Sequence, residues 1–260
     1  MATLGEQSVG STVKVKINGT ATDFLVVHNG KPSSVYDSSC DGVWLLMTDL
    51  YTSRAFDSTN GDYASSDIAA YLNGTFLNLI DSNVKGIVKQ ANIPYTNGSG
   101  SLMTGSSGFS TKVFLLSHHE VGLTTSYANA EGAALSYFNG AANSKRIAKL
   151  SGKANAWWLR SPMKMMLTYP LQIDTTGGAA YTAASTSLGV RPAFILPTDA
   201  NVADDGTVSA GGTKAISGTV RIGGATRTLT GEGYVNIGGT LRPLTGAQVN
   251  IGGVLKTIGG

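Results

Sequence analysis

Trp157-Trp158-Leu159-Arg160-Ser161-Pro162 and, about thirty residues later, Gly189-Val190-Arg191-Pro192-Ala193-Phe194-Ile195-Leu196-Pro197 enclose the stretch whose reading decides the fold. Each end joins large aromatic or β-branched side chains to an Arg and a Pro, the pattern of a buried strand whose pairing stops at the Pro. The residues between them are of another kind. Met163 to Leu171 has neither the 3.6-residue period of a helix nor the alternation of a half-buried strand. After a turn at Gly177-Gly178, the chain to Leu188 is made of small residues broken by Tyr181. The pattern predicts two rigid ends holding an exposed segment, 163–188, of arbitrary side chains.

Upstream, Val13, Val15 and Ile17 alternate with Lys14 and Lys16, Asn18-Gly19 suits a turn with positive φ, and Phe24 to Val27 returns: a hairpin. Val43-Trp44-Leu45-Leu46-Met47 is too continuously apolar for an edge strand. A helix follows, capped by Ser65 or Ser66, with Asp67 in its first turn, Ile68, Tyr71 and Leu72 on one face, and Asn73-Gly74 as its stop. A second apolar segment, Thr75 to Ile80, lies beyond that break. The Gly/Ser-rich run Asn97 to Ser110 carries no titratable group and reads as a surface excursion rather than a lid. Val113 to Leu116 is a short buried strand.

Ser117-His118-His119-Glu120 invites a metal reading, but Ser-x-x-Glu is also a capping box, and neighbouring residues diverge too far to share one ion. Asp57-Ser58-Thr59-Asn60-Gly61-Asp62 lacks the alternating carboxylates and terminal Glu of a calcium loop and reads as a turn. No metal or other cofactor is expected, structural calcium being the one exception kept open. Nucleophile elbow, phosphate-loop and dinucleotide motifs are missing, and His28, His118 and His119 have no nucleophile near them in sequence.

Composition narrows the class. The chain has 260 residues, 42% hydrophobic and only 13% charged, with 34 Gly, which suits a turn-rich, β-rich protein with a real core. Residues 1–213 hold 14 Lys and Arg against 15 Asp and Glu, so the net +3 arises from 214–260, where five basic residues face only Glu232. No patch of clustered cations with interleaved aromatics supports nucleic-acid binding. Cys40 is the sole cysteine, which excludes an internal disulfide and a Cys-based zinc site. No apolar run reaches the ~18 residues of a membrane span, and the N-terminus lacks the regions of a signal peptide. The chain is expected to be made in the cytoplasm, without membrane insertion, and to leave it as part of a particle.

The frame WWLRSP with GVRPAFILP, together with Tyr71-Leu72-Asn73-Gly74-Thr75-Phe76-Leu77, resembles a bacterial and phage family of C-type-lectin-like fold in the formylglycine-generating-enzyme branch. The resemblance spans roughly residues 8–197. In its most similar members the segment between the two ends is diversified by a retroelement, and the relatives best known in function are tail-tip receptor-binding proteins of phages. It implies an α+β, C-type-lectin-like domain over 1–197 with a variable ligand-binding segment at 157–197. Catalytic members of the branch use a cysteine pair, which a chain with Cys40 alone cannot supply.

After Pro197 the texture changes. Thr198 to Thr213 is rich in Asp, Gly, Ala, Ser and Thr and reads as a linker. An internal repeat follows over 214–260: Val220-Arg221-Ile222-Gly223-Gly224, Val235-Asn236-Ile237-Gly238-Gly239 and Val249-Asn250-Ile251-Gly252-Gly253, each predicting a small β-hairpin for assembly or docking. Hairpins with so few apolar residues are marginal alone.

The functional expectation is a non-enzymatic receptor-binding, host-adhesion protein of a phage or phage-like tail, located in the virion. Its ligand-binding set is Met163, Lys164, Met165, Met166, Leu167, Tyr169, Leu171, Tyr181 and Leu188. Trp157, Trp158, Arg160, Arg191 and Phe194 support it from below. The partners implied are a host cell-surface protein or glycan, with protein favoured by the apolar set, and other tail or particle proteins. Self-assembly as a homo-oligomer, a trimer by the resemblance, would add avidity. The competing readings are an enzyme of the formylglycine-generating type and an undiversified bacterial surface-binding module.

Overall fold

The computed structural model describes residues 2–59 and 61–210 and, beyond them, the backbone of six short strands between Gly218 and Ile258. The chain divides into two units, Met1–Ala210 and Gly211–Gly260. The first is a mixed α+β body built on ten strands: β1 (Thr12–Ile17), β2 (Thr20–Asn29), β3 (Val43–Met47), β4 (Thr52–Ala55), β5 (Val113–Phe114), β6 (Trp157–Met163), β7 (Met166–Ile173), β8 (Ala179–Tyr181), β9 (Ser187–Val190) and β10 (Ala193–Leu196).

These strands form two five-stranded sheets. The first, in the order β5-β10-β3-β2-β1, is antiparallel throughout. β3 and β10 lie inside it and are buried along their whole length, which is why their sequences are apolar without alternation. β1 and β2 close through Asn18 (φ 48°) and Gly19 (φ 76°), the left-handed pair that a two-residue hairpin requires. The second sheet has the order β8-β7-β6-β9-β4, with β6 and β9 parallel and the other pairs antiparallel.

The chain crosses from one sheet to the other twice at one place, between β3 and β4 and between β9 and β10. Backbone bonds from Met47 N to the Pro192 carbonyl (2.9 Å) and from Tyr51 N to the Val190 carbonyl (2.9 Å) hold the two crossings side by side. Pro192 lies between the end of β9 and the start of β10, at the corner, and Pro197 follows the last residue of β10, so pairing stops at these prolines as expected. Pro162 does not stop it: it lies within β6, opposite Pro170 at an irregularity in the ladder.

The helix begins where its caps predict. α1 (Asp67–Tyr71) follows Ser66, whose Oγ accepts from Ala69 N at 3.3 Å. It does not stop at Asn73-Gly74. The helical path runs through a π turn, Leu72–Phe76, into α2 (Leu77–Leu79). Asn73 is occupied elsewhere: its amide donates to the Ala69 and Val113 carbonyls, and its Oδ1 accepts from Thr111 Oγ1, Lys112 N and Val113 N, all within 3.1 Å. A residue that caps a neighbouring strand in this way makes a bulge in its own helix. α3 (Ser82–Ile87) follows, capped by Asp81.

The segment expected as a linker is folded over its described part. Asn201–Val202 pairs with Ala2–Thr3 and with Val208–Ser209, and Leu4 N and Gly5 N donate to the Ala200 and Thr198 carbonyls. Ala200, Val202 and Val208 are buried. The body thus ends near Ala210, because three apolar residues in a polar run are enough to form a small closing sheet. In the second unit, Gly218–Ile222 pairs with Ala225–Leu229, Tyr234–Ile237 with Thr240–Pro243, and Ala247–Ile251 with Val254–Ile258. Residues 211–217, the rest of the expected linker and the first residues of the expected hairpin unit, lie outside those described.

A chain ending at Pro197 loses this closing sheet. Losing the burial of Val202 and Val208 alone removes about 3 kcal/mol of apolar stabilisation. Urea unfolding should therefore find it markedly less stable than a chain ending at Ala210, and equal midpoints would refute the assignment.

Candidate functional site

The segment 163–188 is organised as two hairpins on the second sheet, not as an aperiodic loop. β6 and β7 meet at a tight turn, with Met163 opposite Met166 and Lys164-Met165 at the tip. β7 and β8 close through Gly177 (φ 83°), where Asp174 Oδ1 accepts from Thr176 N and Gly178 N. Met165 is 88% exposed, Tyr181 53% and Met166 42%, and Lys164 is exposed with them. Leu167, Tyr169 and Leu188 are half-buried, and the Tyr169 and Tyr181 rings meet edge to face at 6.3 Å.

Met163 and Leu171 do not belong to this surface. Met163 (7% exposed) ends a strand whose every residue is buried, and Leu171 (4%) faces the core from the base of β7. Distance along the hairpin decides this: the base packs and the tip does not. The supporting residues Trp157, Trp158, Arg160, Arg191 and Phe194 are all buried. Trp157 Nε1 donates to the Arg146 carbonyl and Trp158 Nε1 to the Arg54 carbonyl, both at 2.9 Å, so each indole is satisfied inside the core.

Three segments distant in sequence brace the tip. Lys164 N donates to the Tyr127 carbonyl at 2.7 Å, which ties the backbone of Tyr127, a residue 63% exposed, to the tip. A Cβ on Gly61 would lie 1.8 Å from the Leu167 carbonyl oxygen, so only glycine allows that approach. Gly100 lies against the Leu167 side chain. Gly100 belongs to the Asn97–Ser110 run, which is not a free excursion. Tyr95–Thr96 pairs with Leu102–Met103, Ala91–Ile93 pairs with Phe109–Thr111, and Asn97 Oδ1 gathers Ser99 N and Ser101 N. Tyr127 sits in a stretch, Thr124 to Ala130, that carries no periodic signal, and only the fold reveals its place.

Beneath the hairpin lies a charge cluster fully removed from solvent. Arg160 forms a bidentate pair with Glu120, Nη1 to Oε2 and Nη2 to Oε1, both 2.6 Å. It also donates from Nε to the Pro94 carbonyl and from Nη1 to the Leu115 carbonyl. Glu120 further accepts from Tyr36 Oη and from Ser117 N, while Glu120 N donates to Ser117 Oγ at 3.0 Å. The capping box is therefore real, although a turn rather than a helix follows it. Glu131 lies 3.7 Å from Arg160 Nε and accepts from Thr96 N and Ser161 Oγ, both 2.8 Å.

Burial opposes the Arg160 charge, but Glu120 and Glu131 more than offset it and lift its pKa above the ordinary range. Burial pushes the Glu131 carboxyl up, with Arg160, Thr96 and Ser161 acting against it. Arg191 has no such partner. It donates to the Met47 and Thr48 carbonyls at 2.9 Å and stacks over Trp157 at 5.0 Å, and burial pulls its pKa down to about 10.

The alternative sites resolve into structure. His118 is buried and its pKa falls to about 4 through burial, then through the neighbouring His119 and Arg146. The rings of His118 and His119 stand 6.1 Å apart, and among the described residues no three His, Cys, Asp or Glu side chains gather as a metal site. Asp57 Oδ1 accepts from Thr59 N and its Oδ2 from Asp67 N at the start of α1, while Asp62 accepts from Ala64 N. Cys40 is buried, donates to the Asn92 carbonyl at 3.3 Å, and its thiol is pushed up to about 12, chiefly by burial, which keeps it protonated and unreactive. Two surface grooves, of about 350 and 540 Å³, border α1, and none of the predicted ligand residues lines either. No helix among the described residues is long and apolar enough to cross a membrane.

A braced, solvent-facing hairpin on a mixed α+β body is thus what the site consists of. The chain belongs to the family described as a domain of unknown function, DUF6273, whose model matches residues 41–198, from the start of β3 to just past β10. That span contains the hairpin, both arginines, Glu120 and Glu131. A search of curated proteins gives no match, and a search of solved structures gives none.

Removing one partner of the buried pair strands the other. Arg160→Met should cost about 3–5 kcal/mol in chemical unfolding. Glu131→Gln should cost only about 1 kcal/mol, since its amide can still accept from Thr96 N and donate to Ser161 Oγ. Equal losses in the two variants would contradict this arrangement.

His118 sets an acid limit. Because its folded pKa lies below the ordinary 6.5, its contribution is intact above that value and is lost as the pH falls toward 4. Thermal unfolding measured from pH 7 to 4 should show a declining midpoint, and a His118→Gln variant should decline less. A slope unchanged in that variant would remove His118 as the cause.

Proposed function

We propose that this chain is a non-enzymatic receptor-binding protein of a phage or phage-like tail, with a body of C-type-lectin type in the formylglycine-generating-enzyme branch. Its binding surface is the exposed tip of the β6–β7 hairpin with its neighbour on β8. The observation that carries the reading is the contrast within a few residues: Met165, at 88% exposure, stands at a turn two residues beyond the end of a strand whose every residue is buried. Large flexible apolar side chains held in water cost stability and are retained where a partner covers them. The rigid base lowers the ordering cost of binding, which is what a surface of changeable side chains requires.

Lys164, Met165, Met166 and Tyr181 make the outer surface and Leu167 and Tyr169 its half-buried floor, while Leu188, half-buried and paired with Arg54 on the other side of β6, stands apart from them. The apolar set favours a protein on the host surface over a glycan. The buried, protonated Cys40 supports a binding role rather than oxidative catalysis. Location in the virion and a homo-oligomer, a trimer in this reading, complete the proposal, since repetition multiplies weak single-site affinity.

The test separates surface from core. A Met165→Ala, Met166→Ala, Tyr181→Ala variant should keep its unfolding free energy within about 1 kcal/mol of the parent, as exposed substitutions do. It should also lose adsorption of the labelled full chain to intact bacterial cells, in a panel where the parent adsorbs and protease treatment of the cells abolishes it. Adsorption undiminished in the variant would sink the assignment of this surface.

A further inference from the structure

Sulfur is divided unevenly between the interior of the body and the tip of the β6–β7 hairpin. Among the described residues it occurs in Cys40, Met47, Met103, Met163, Met165 and Met166. Cys40 is buried and its thiol stays protonated, which makes it a poor nucleophile toward an oxidant. Met47 and Met163 are each only 7% exposed, and Met103 is half-buried on a short strand opposite Tyr95. Met165 at 88% and Met166 at 42% are the exposed sulfur side chains among the described residues, and they stand side by side.

A thioether has no proton to lose, so access rather than acidity decides which methionine reacts. The ladder that sets Met163 opposite Met166 leaves the first in the closed base and the second in water, so the two differ in access although they face each other across the strands. Change at the tip also leaves the fold alone. Neither Met165 nor Met166 enters the Arg160 or Arg191 contacts, and Leu167 and Tyr169 beneath them carry no sulfur.

We propose that Met165 and Met166 form a reversible oxidation site that switches off partner binding, an inference that rests on the receptor-binding reading of this tip. The oxidant is a hydroperoxide such as hydrogen peroxide. A sulfur lone pair attacks one peroxide oxygen, the S–O bond forms as the O–O bond breaks, and the proton on the transferred oxygen passes to the departing hydroxide. Sulfur ends as the sulfoxide and the peroxide as one water. Return takes a sulfoxide reductase, one for each sulfoxide epimer, with two thiols oxidised to a disulfide while the oxygen leaves as water. The sulfoxide places a strong acceptor where a partner would meet apolar area, and burying it without a donor weakens binding about ten-fold or more. In the free chain the same oxygen is hydrated, so binding falls while stability does not.

The full chain should be treated with dilute hydrogen peroxide, freed of it, and followed by peptide mass spectrometry, chemical unfolding and adsorption to the bacterial cells that take up the untreated chain. Met165 is expected to gain oxygen first and Met166 next, ahead of Met103, Met47 and Met163, with an unchanged unfolding midpoint and adsorption reduced at least about ten-fold. Incubation with both methionine sulfoxide reductases and dithiothreitol should restore the thioethers and the adsorption together. An M103L variant should respond as the parent does. Adsorption that survives full conversion of Met165 and Met166 would overturn the proposal and leave the receptor-binding reading standing. The proposal falls in the same way if a buried methionine oxidises before the tip, if the loss follows unfolding, if M103L escapes it, or if restored thioethers do not bring adsorption back. An untreated chain that adsorbs to no cell of the panel removes the receptor-binding reading itself, and the switch with it.

Discussion

The bidentate bond between Arg160 and Glu120 is the constraint on which the body depends. Between Phe114 and Asn143 the chain forms no strand and no helix, yet much of it is buried, Leu115, Leu116, Val121, Leu135 and Phe138 among it. A buried irregular segment must satisfy its polar groups without a ladder. Arg160 reaches from β6 to the Leu115 and Pro94 carbonyls, Glu120 takes Ser117 N and Tyr36 Oη, and Glu131 takes Thr96 N. One guanidinium and two carboxylates thereby fasten four separate stretches of chain to the strand that carries the exposed hairpin. Such a cluster contributes less to net stability than apolar packing would, but it tolerates no alternative arrangement, because every shift leaves a buried charge unpaired.

The two framing arginines solve different problems. Arg160 is matched by opposite charge, whereas Arg191 relies on two carbonyls and a Trp ring at the corner where both sheets exchange strands. Burial weighs on both, but Glu120 and Glu131 hold the first in its charged form, whereas the second has no carboxylate bonded to it. Arg191 is kept in place by geometry: Met47 and Thr48 end β3 just as β9 turns into β10, and a cation with several donors is what unites carbonyls from a strand end. A Lys there, with a compact head and no ring to stack, would cover them less well.

What the sequence disclosed follows the range of the interactions involved. The β1–β2 hairpin, the buried β3, the Ser66 cap and the Ser117–Glu120 box depend on residues a few positions apart, and all are readable locally. Asn73-Gly74 read as a helix stop because a local rule was applied to a residue whose partners, Thr111 to Val113, lie nearly forty positions away. The run after Pro197 read as a linker because its three apolar residues are too sparse for periodicity, though enough for a closing sheet. Glu131 and Tyr127 carried no signal at all. Their roles arise from contacts with Arg160 and Lys164 that only the fold brings about.

The same distinction applies along the hairpin itself. Met163, Met165 and Met166 are equivalent in composition, yet one is core and two are surface, and only the ladder that places Met163 opposite Met166 separates them. The boundary is sharp because β6 is buried on both faces up to its last residue, while β7 begins exposed and enters the core only at Pro170 and Leu171. Substitutions at the tip therefore meet solvent, whereas those at the base meet Trp157, Trp158 and the charge cluster. A scaffold of this form can accept change at Lys164, Met165, Met166 and Tyr181 without disturbing what holds it together, since none of those side chains takes part in the Arg160 or Arg191 contacts.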